Sequence, residues 1–211
     1  MWFLSNLHKF KFLGTIYRAM SRYCYSPLSQ EPNSIRLLRL MPNKNDTADI
    51  RCELFKYALQ ESSKATHPYE ALSYVWGGSD RPKSIFIDNQ YFAVTLNLHA
   101  ALLRFRDRDI PRIIWVDAVC INQEDEQEKE RQIQSMAKIY GKASRVIVWL
   151  GERADNSDVA LEVIRAAGKP TNTSNKEIIQ QAILLLLQRP WFRRIWVRQT
   201  FDNTHKELLK C

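Results

Sequence analysis

The side chains with the widest chemical reach are Asp117, Asn122 and Gln123, at the ends of the stretch Asp117-Ala118-Val119-Cys120-Ile121-Asn122-Gln123. A carboxylate here can accept a hydrogen bond from a ribose hydroxyl or polarise a neighbour, and the two amides can read an amide or base edge. The same groups can instead serve the backbone, with Asp117 and Asn122 capping a helix and closing a turn. Cys120 has no histidine near it in sequence, which suits a buried structural thiol better than a nucleophile. A second cluster is Ser73, Tyr74, Trp76 and Gly77. Its indole can cover a planar ligand, and Gly77-Gly78 can let backbone approach a phosphate or simply make a turn. A third stretch, Trp191 to Trp196, is basic and aromatic like a nucleic-acid stacking surface. Its spacing favours packing, because Trp191, Ile195 and Trp196 can share one helical face and leave Arg193 and Arg194 to meet acids or phosphate. The four histidines form no triad or ligand set, and Cys24, Cys52, Cys120 and Cys211 are too scattered for a zinc site or a disulfide framework. That usage fits a reducing, cytoplasmic setting.

Elements must hold these residues in place, and the pattern supplies them. Ile35 to Leu40 and Arg51 to Leu59 flank a turn-rich stretch and read as a hairpin. Ala71 to Trp76 reads as a strand stopped by Gly77-Gly78, and Ser84 to Asp88 with Tyr91 to Thr95 as a second hairpin around Asn89-Gln90. Asn97 can cap a helix whose face is Leu98, Ala101, Leu102 and Phe105. Arg112 to Val116 and Arg145 to Leu150 read as buried strands. Between them, Glu124 to Tyr140 is an acid-started helix with Ile133, Met136, Ala137 and Tyr140 on its apolar face. Ser157 to Ala167 and Lys176 to Gln188 follow as helices. Strands alternating with helices imply a parallel sheet covered by helices, with ligands bound outside the carboxyl ends of its strands.

The 211 residues are 45% hydrophobic and 26% charged, an ordinary globular mixture that excludes disorder, collagen and coiled coil. No apolar run approaches the ~20 residues of a membrane span. The formal charge is +8, but residues 1–25 hold +4 and residues 191–211 hold +3, which leaves +1 between them. A nearly neutral body argues against nucleic acid as the partner. Residues 1–22 read as a basic amphipathic leader.

Tyr69-Glu70-Ala71-Leu72-Ser73-Tyr74-Val75-Trp76-Gly77 and Ile114-Trp115-Val116-Asp117-Ala118-Val119-Cys120-Ile121-Asn122-Gln123 resemble the signature blocks of the HET, or heterokaryon incompatibility, domain of filamentous fungi. The resemblance extends through Gln132, Met136, Ile139 and Tyr140, through Val146-Ile147-Val148-Trp149-Leu150-Gly151, and through Arg189-Pro190-Trp191-Phe192-Arg193-Arg194-Ile195-Trp196-Val197. Tyr25-Ser26-Pro27-Leu28 and Ile35-Arg36-Leu37-Leu38 match the usual lead-in. It implies a HET domain over residues 23–200, with residues 201–211 as a divergent tail and the domain incomplete at its C-terminus.

HET domains act in non-self recognition, triggering growth arrest and cell death, and are considered similar to TIR domains. That implies an α/β, flavodoxin/TIR-like fold: a mainly parallel sheet flanked by helices, here with N-terminal β-hairpins. It also implies protein partners or self-association. Some TIR domains hydrolyse NAD with a catalytic glutamate, which makes NAD a candidate substrate. The HET block that would supply the acid usually ends Trp-Val-x-Gln-Glu, and here Trp196-Val197-Arg198-Gln199 is followed by Thr200. A threonine cannot stabilise an oxocarbenium charge as a carboxylate does. The resemblance therefore implies a module without intact catalysis, with Asp117, Glu70 and Glu124 as substitute acids if cleavage occurs. The pocket it implies draws on Ser73, Trp76, Asp117, Asn122, Gln123 and Arg194, with no metal.

Overall fold

Ile35, Leu37, Leu38 and Leu40 are almost wholly buried, and their run forms the strand β1 (Ser34–Leu40) in the interior of an eight-stranded sheet. The computed structural model describes residues 21–28, 33–59, 67–166, 176–193 and 207–210. β1 pairs antiparallel with β2 (Arg51–Ala58), from Ser34 opposite Ala58 to Leu40 opposite Cys52, which is the expected first hairpin. The second hairpin is β4 (Lys83–Ile87) with β5 (Gln90–Val94). Its turn sits one residue earlier than the sequence suggested. Asp88 and Asn89 carry the positive φ values, 51° and 64°, so Gln90 already pairs with Ile87. Two left-handed residues in succession match the twist of the flanking strands, and Asp and Asn tolerate that conformation.

The remaining strands are β3 (His67–Tyr74), β6 (Arg112–Trp115), β7 (Ala143–Trp149) and β8 (Glu207–Lys210). All four run parallel, in the spatial order β6-β3-β7-β8. The whole sheet is ordered β5-β4-β2-β1-β6-β3-β7-β8 and is mixed, because β1 and β5 run against their neighbours. The tail read as divergent thus contributes an outer strand, with Glu207 to Lys210 beside Val146 to Trp149. Of the leader, residues 1–20 lie outside the described residues; Arg22 bridges to Tyr91 at the other edge of the sheet.

Helices occupy the crossovers. α1 (Leu96–Phe105) follows the second hairpin, and α2 (Asp117–Cys120) and α3 (Glu126–Lys142) join β6 to β7. α4 (Ser157–Arg165), α5 (Lys176–Leu187) and a 3-10 turn at Pro190–Arg193 lead toward β8. α1 buries the expected Leu98, Ala101, Leu102 and Phe105, but its cap is Thr95, whose hydroxyl accepts the Leu98 N–H at 3.3 Å. Asn97, expected as the cap, is released for another task.

α3 departs further from expectation, because it buries Glu128, Gln132, Ile139 and Tyr140 while Ile133 is 53% exposed. Its inward face is half polar because partners wait for it: Gln132 donates to the Ser34 carbonyl at 2.9 Å, and Glu128 meets the buried Arg36. Apolar periodicity has no means of detecting such a face. Among the described residues no helix is long and apolar enough to cross a membrane.

Candidate functional site

β3, β6 and β7 end side by side at Tyr74, Trp115 and Trp149, and the segments leaving them are tied together by indole N–H groups. Trp76, two residues past β3, donates its Nε1 to Asp117 Oδ2 at 2.9 Å. Trp149, the last residue of β7, donates to Asn97 Oδ1 at 2.8 Å, and the Asn97 amide donates to the Val75 carbonyl at 2.6 Å. Trp191 donates to Ser73 Oγ at 3.0 Å. An aromatic body with one polar tip suits this position, since the ring packs on the sheet while the N–H reaches a strand-end acceptor. Chain direction changes at Gly77 (φ 80°) and Gly151 (φ 100°), both left-handed, where a side chain would be strained. Arg189 then seals the exit of β7, donating to the carbonyls of Leu150 at 3.0 Å and Ala154 at 3.2 Å.

Asp117 is 8% exposed and fully engaged. Its Oδ1 accepts the Ala118 N–H at 2.7 Å, and its carbonyl accepts the Gln123 side-chain amide at 3.0 Å. Trp76, Asp117 and Gln123 are therefore joined by hydrogen bonds, and Ser73 lies near the end of β3 in contact with Trp191. Asn122 turns toward backbone instead, its Oδ1 accepting the Glu124 N–H at 3.2 Å and its own N–H reaching Glu128 Oε1 at 2.8 Å. Asn122, Gln123 and Glu124 border a cavity of about 270 Å³ that is also lined by Tyr23, Tyr25 and Phe92, whose rings are in edge-to-face contact. Tyr25 donates to the Val119 carbonyl at 2.8 Å, and burial pushes its hydroxyl pKa well above the usual phenol range.

The other candidates stand apart. Glu70 lies in the interior of β3, paired with Ile114 and Arg145 in the ladder and in ion pairs with Arg112 and Arg145. Glu124 is exposed and pairs with Arg22. Arg194 and Thr200 lie outside the described residues. Asn97 in α1, Trp149 at the end of β7 and Arg189 after α5 also tie the strand ends together, a role their spacing did not signal. The one available signal was a second cap candidate, Thr95, two residues before Asn97. Among the described residues no cluster of His, Cys, Asp and Glu is arranged to hold a metal ion.

Cys120 is 1% exposed, and burial pushes its thiol up to about 12. Burial likewise raises Cys52, whereas Cys24 is exposed. The thiolate is the reactive form. A thiol reagent at neutral pH is therefore expected to modify Cys24 in the folded protein and Cys52 and Cys120 only after denaturation, read by peptide mass. Labelling of Cys120 at the rate of Cys24 would contradict the packing described.

Residues 69–200 match the family model described as "Heterokaryon incompatibility protein (HET)". The chain is 30% identical, over 234 aligned positions, to "Heterokaryon incompatibility protein 6, OR allele" of Neurospora crassa, an alignment that covers 87% of this chain and 34% of that protein. The chain thus spans about a third of the length of the curated relative it matches. No solved structure matches it. Because the family match spans more than half of the chain and includes every indole and acceptor that ties the strand ends together, the chain belongs to the heterokaryon incompatibility (HET) family.

Proposed function

We propose that this chain is a cytoplasmic signalling module of fungal non-self recognition and cell death, working through protein partners or self-association rather than through NAD hydrolysis. The family match and the Neurospora relative support the biological role. The order of its parallel strands supports the finer fold reading. Numbered as they occur along the chain, they lie second, first, third, fourth, which agrees with the flavodoxin-like order shared by TIR-type sheets.

The observation that carries the non-catalytic reading is the commitment of Asp117, the one candidate acid at the strand ends, to Trp76 and the Ala118 N–H. A carboxylate that stabilises a developing oxocarbenium charge must face the sugar. Glu70 faces two arginines and Glu124 faces Arg22 at the surface. The test incubates purified protein with NAD and measures nicotinamide release. The expected result is none above the protein-free control. Release that Asp117→Asn abolishes, with circular dichroism unchanged, would replace this reading with a TIR-like hydrolase using Asp117.

A further inference from the structure

Beyond the end of β7 lies a larger concavity, about 1080 Å³, between α1, the loop after it and the turn holding Glu152 and Arg153. α1 turns Leu96, His99, Ala100, Leu103 and Arg104 toward it, a second face beside the one it buries in the core. Five permanent cations, Lys83, Arg104, Arg106, Arg108 and Arg153, line the groove against two carboxylates, Asp46 and Glu152. The chain between residues 26 and 190 carries only +1. The positive charge of the body is therefore gathered here and offset elsewhere.

Four of these cations, Lys83, Arg106, Arg108 and Arg153, are poorly neutralised. Arg106 donates Nη1 to the carbonyls of Ala48 (2.8 Å) and Asp49 (3.1 Å), and Nη2 to those of Asn45 (2.9 Å) and Asp46 (3.0 Å). Four carbonyls fix its position but leave its unit charge standing, since none is a carboxylate. Arg108 stands 3.6 Å from Asp46 with both side chains exposed, a pair that salt readily screens. Lys83 and Arg153 are exposed and have no ion pair among the described residues. His99 feels the result: burial, then the charges of Lys83 and Arg106, hold its imidazole below the usual range.

From this excess of charge along a concave wall we infer that the groove binds a chain of phosphates, contacted by Lys83 and Arg153 and held by the fixed charge of Arg106. Concave walls focus the field of such cations, and guanidinium forks match phosphate oxygens. The charges come from three separate places, the start of β4, the end of α1 with the loop after it, and the turn after β7, which suits several linked phosphates better than a single anion. Leu96, Ala100 and Leu103 beside them leave apolar surface for an organic portion. The phosphate chain can come from a nucleotide or from inorganic polyphosphate.

The test titrates the full chain calorimetrically with tripolyphosphate and ATP at ~50 mM salt, where surface charge is weakly screened. Tripolyphosphate or ATP is expected to bind, and the double variant Lys83→Glu, Arg153→Glu to weaken binding about tenfold or more with its melting temperature unchanged. Tighter binding of ATP than of tripolyphosphate assigns the nucleotide as source, and equal binding assigns the phosphate chain alone. Bound phosphate should also raise the His99 titration midpoint seen by NMR, by offsetting Lys83 and Arg106. No binding of either phosphate compound at millimolar concentration, binding unaffected by the double variant, or an unmoved His99 overturns the proposal. None of these readouts involves NAD cleavage, so failure here leaves the proposed signalling role untouched.

Discussion

Glu128→Ala is expected to destabilise the protein by about 3–5 kcal/mol, measured as a loss of unfolding free energy in urea. Arg36 and Glu128 are each 2% exposed and form a forked pair, with Arg36 Nη2 3.0 Å from Glu128 Oε2. The alanine would leave a guanidinium buried without its counter-charge. It would also orphan the Asn122 N–H, which Glu128 Oε1 accepts at 2.8 Å. The consequence is wider than one pair, because Arg36 also donates to the carbonyls of Ser26 (2.8 Å) and Cys120 (3.4 Å) and lies 5.0 Å over the Tyr25 ring. One ion pair thus fastens the segment before β1, the Asp117–Gln123 stretch and α3 to a single strand.

Glu128→Gln keeps an acceptor and the shape, so its cost should be clearly smaller than that of the alanine. Replacing both partners with apolar residues should recover part of the loss, since burying two charges is itself costly. A cost below about 1 kcal/mol for Glu128→Ala would show that the pair is exchanging with water and is not the fastening described here.

The second large effect is at Trp115. It is fully buried in β6, between β1 and β3, with its ring edge-to-face on Tyr140 at 5.4 Å between centroids. Trp115→Ala should cost about 3–5 kcal/mol through lost transfer energy and a cavity that a closely paired sheet cannot collapse to fill. Trp115→Phe should cost much less. The Trp115 N–H is the one indole donor among the described buried ones that finds no partner, so phenylalanine removes an unsatisfied polar group while losing volume. Thermal unfolding of both variants separates the two contributions, and a phenylalanine as damaging as the alanine would mean that the Trp115 N–H is bonded after all.

Strand positions were legible because buried strands announce themselves. Ile114-Trp115 and Val146 to Trp149 have no polar interruption, and each became an interior strand within two residues of its expected limits. Fold class followed from the alternation of strands and helices. The misplaced features share one physical cause, polar side chains whose partners are remote in sequence. Asn97 looks like a cap until β3 and β7 arrive beside it, 22 and 52 residues away. Glu128 and Gln132 look like a solvent face until β1, about a hundred residues earlier, covers them. Trp76 and Asp117, 41 residues apart, meet through one hydrogen bond because neighbouring strand ends leave few places for polar residues to go. What those residues do there, bind or brace, depends on hydrogen bonds that no spacing encodes.

The central place of β3 sets a schedule for making the molecule. Its main partner is β7, and Glu70 aligns with Arg145 some 75 residues downstream. At ~5–20 residues per second, a ribosome releases β3 several seconds or more before β7 exists to cover it. Throughout that interval Ala71 and Leu72, which end fully buried, have no finished sheet to enter. Closing so long a loop is slow even in the complete chain, because the entropy of closure is lost before the ladder forms. Nascent copies of this protein should therefore depend on holding chaperones during synthesis, and crowded polysomes are where its β3 segments have most opportunity to find each other instead of β7.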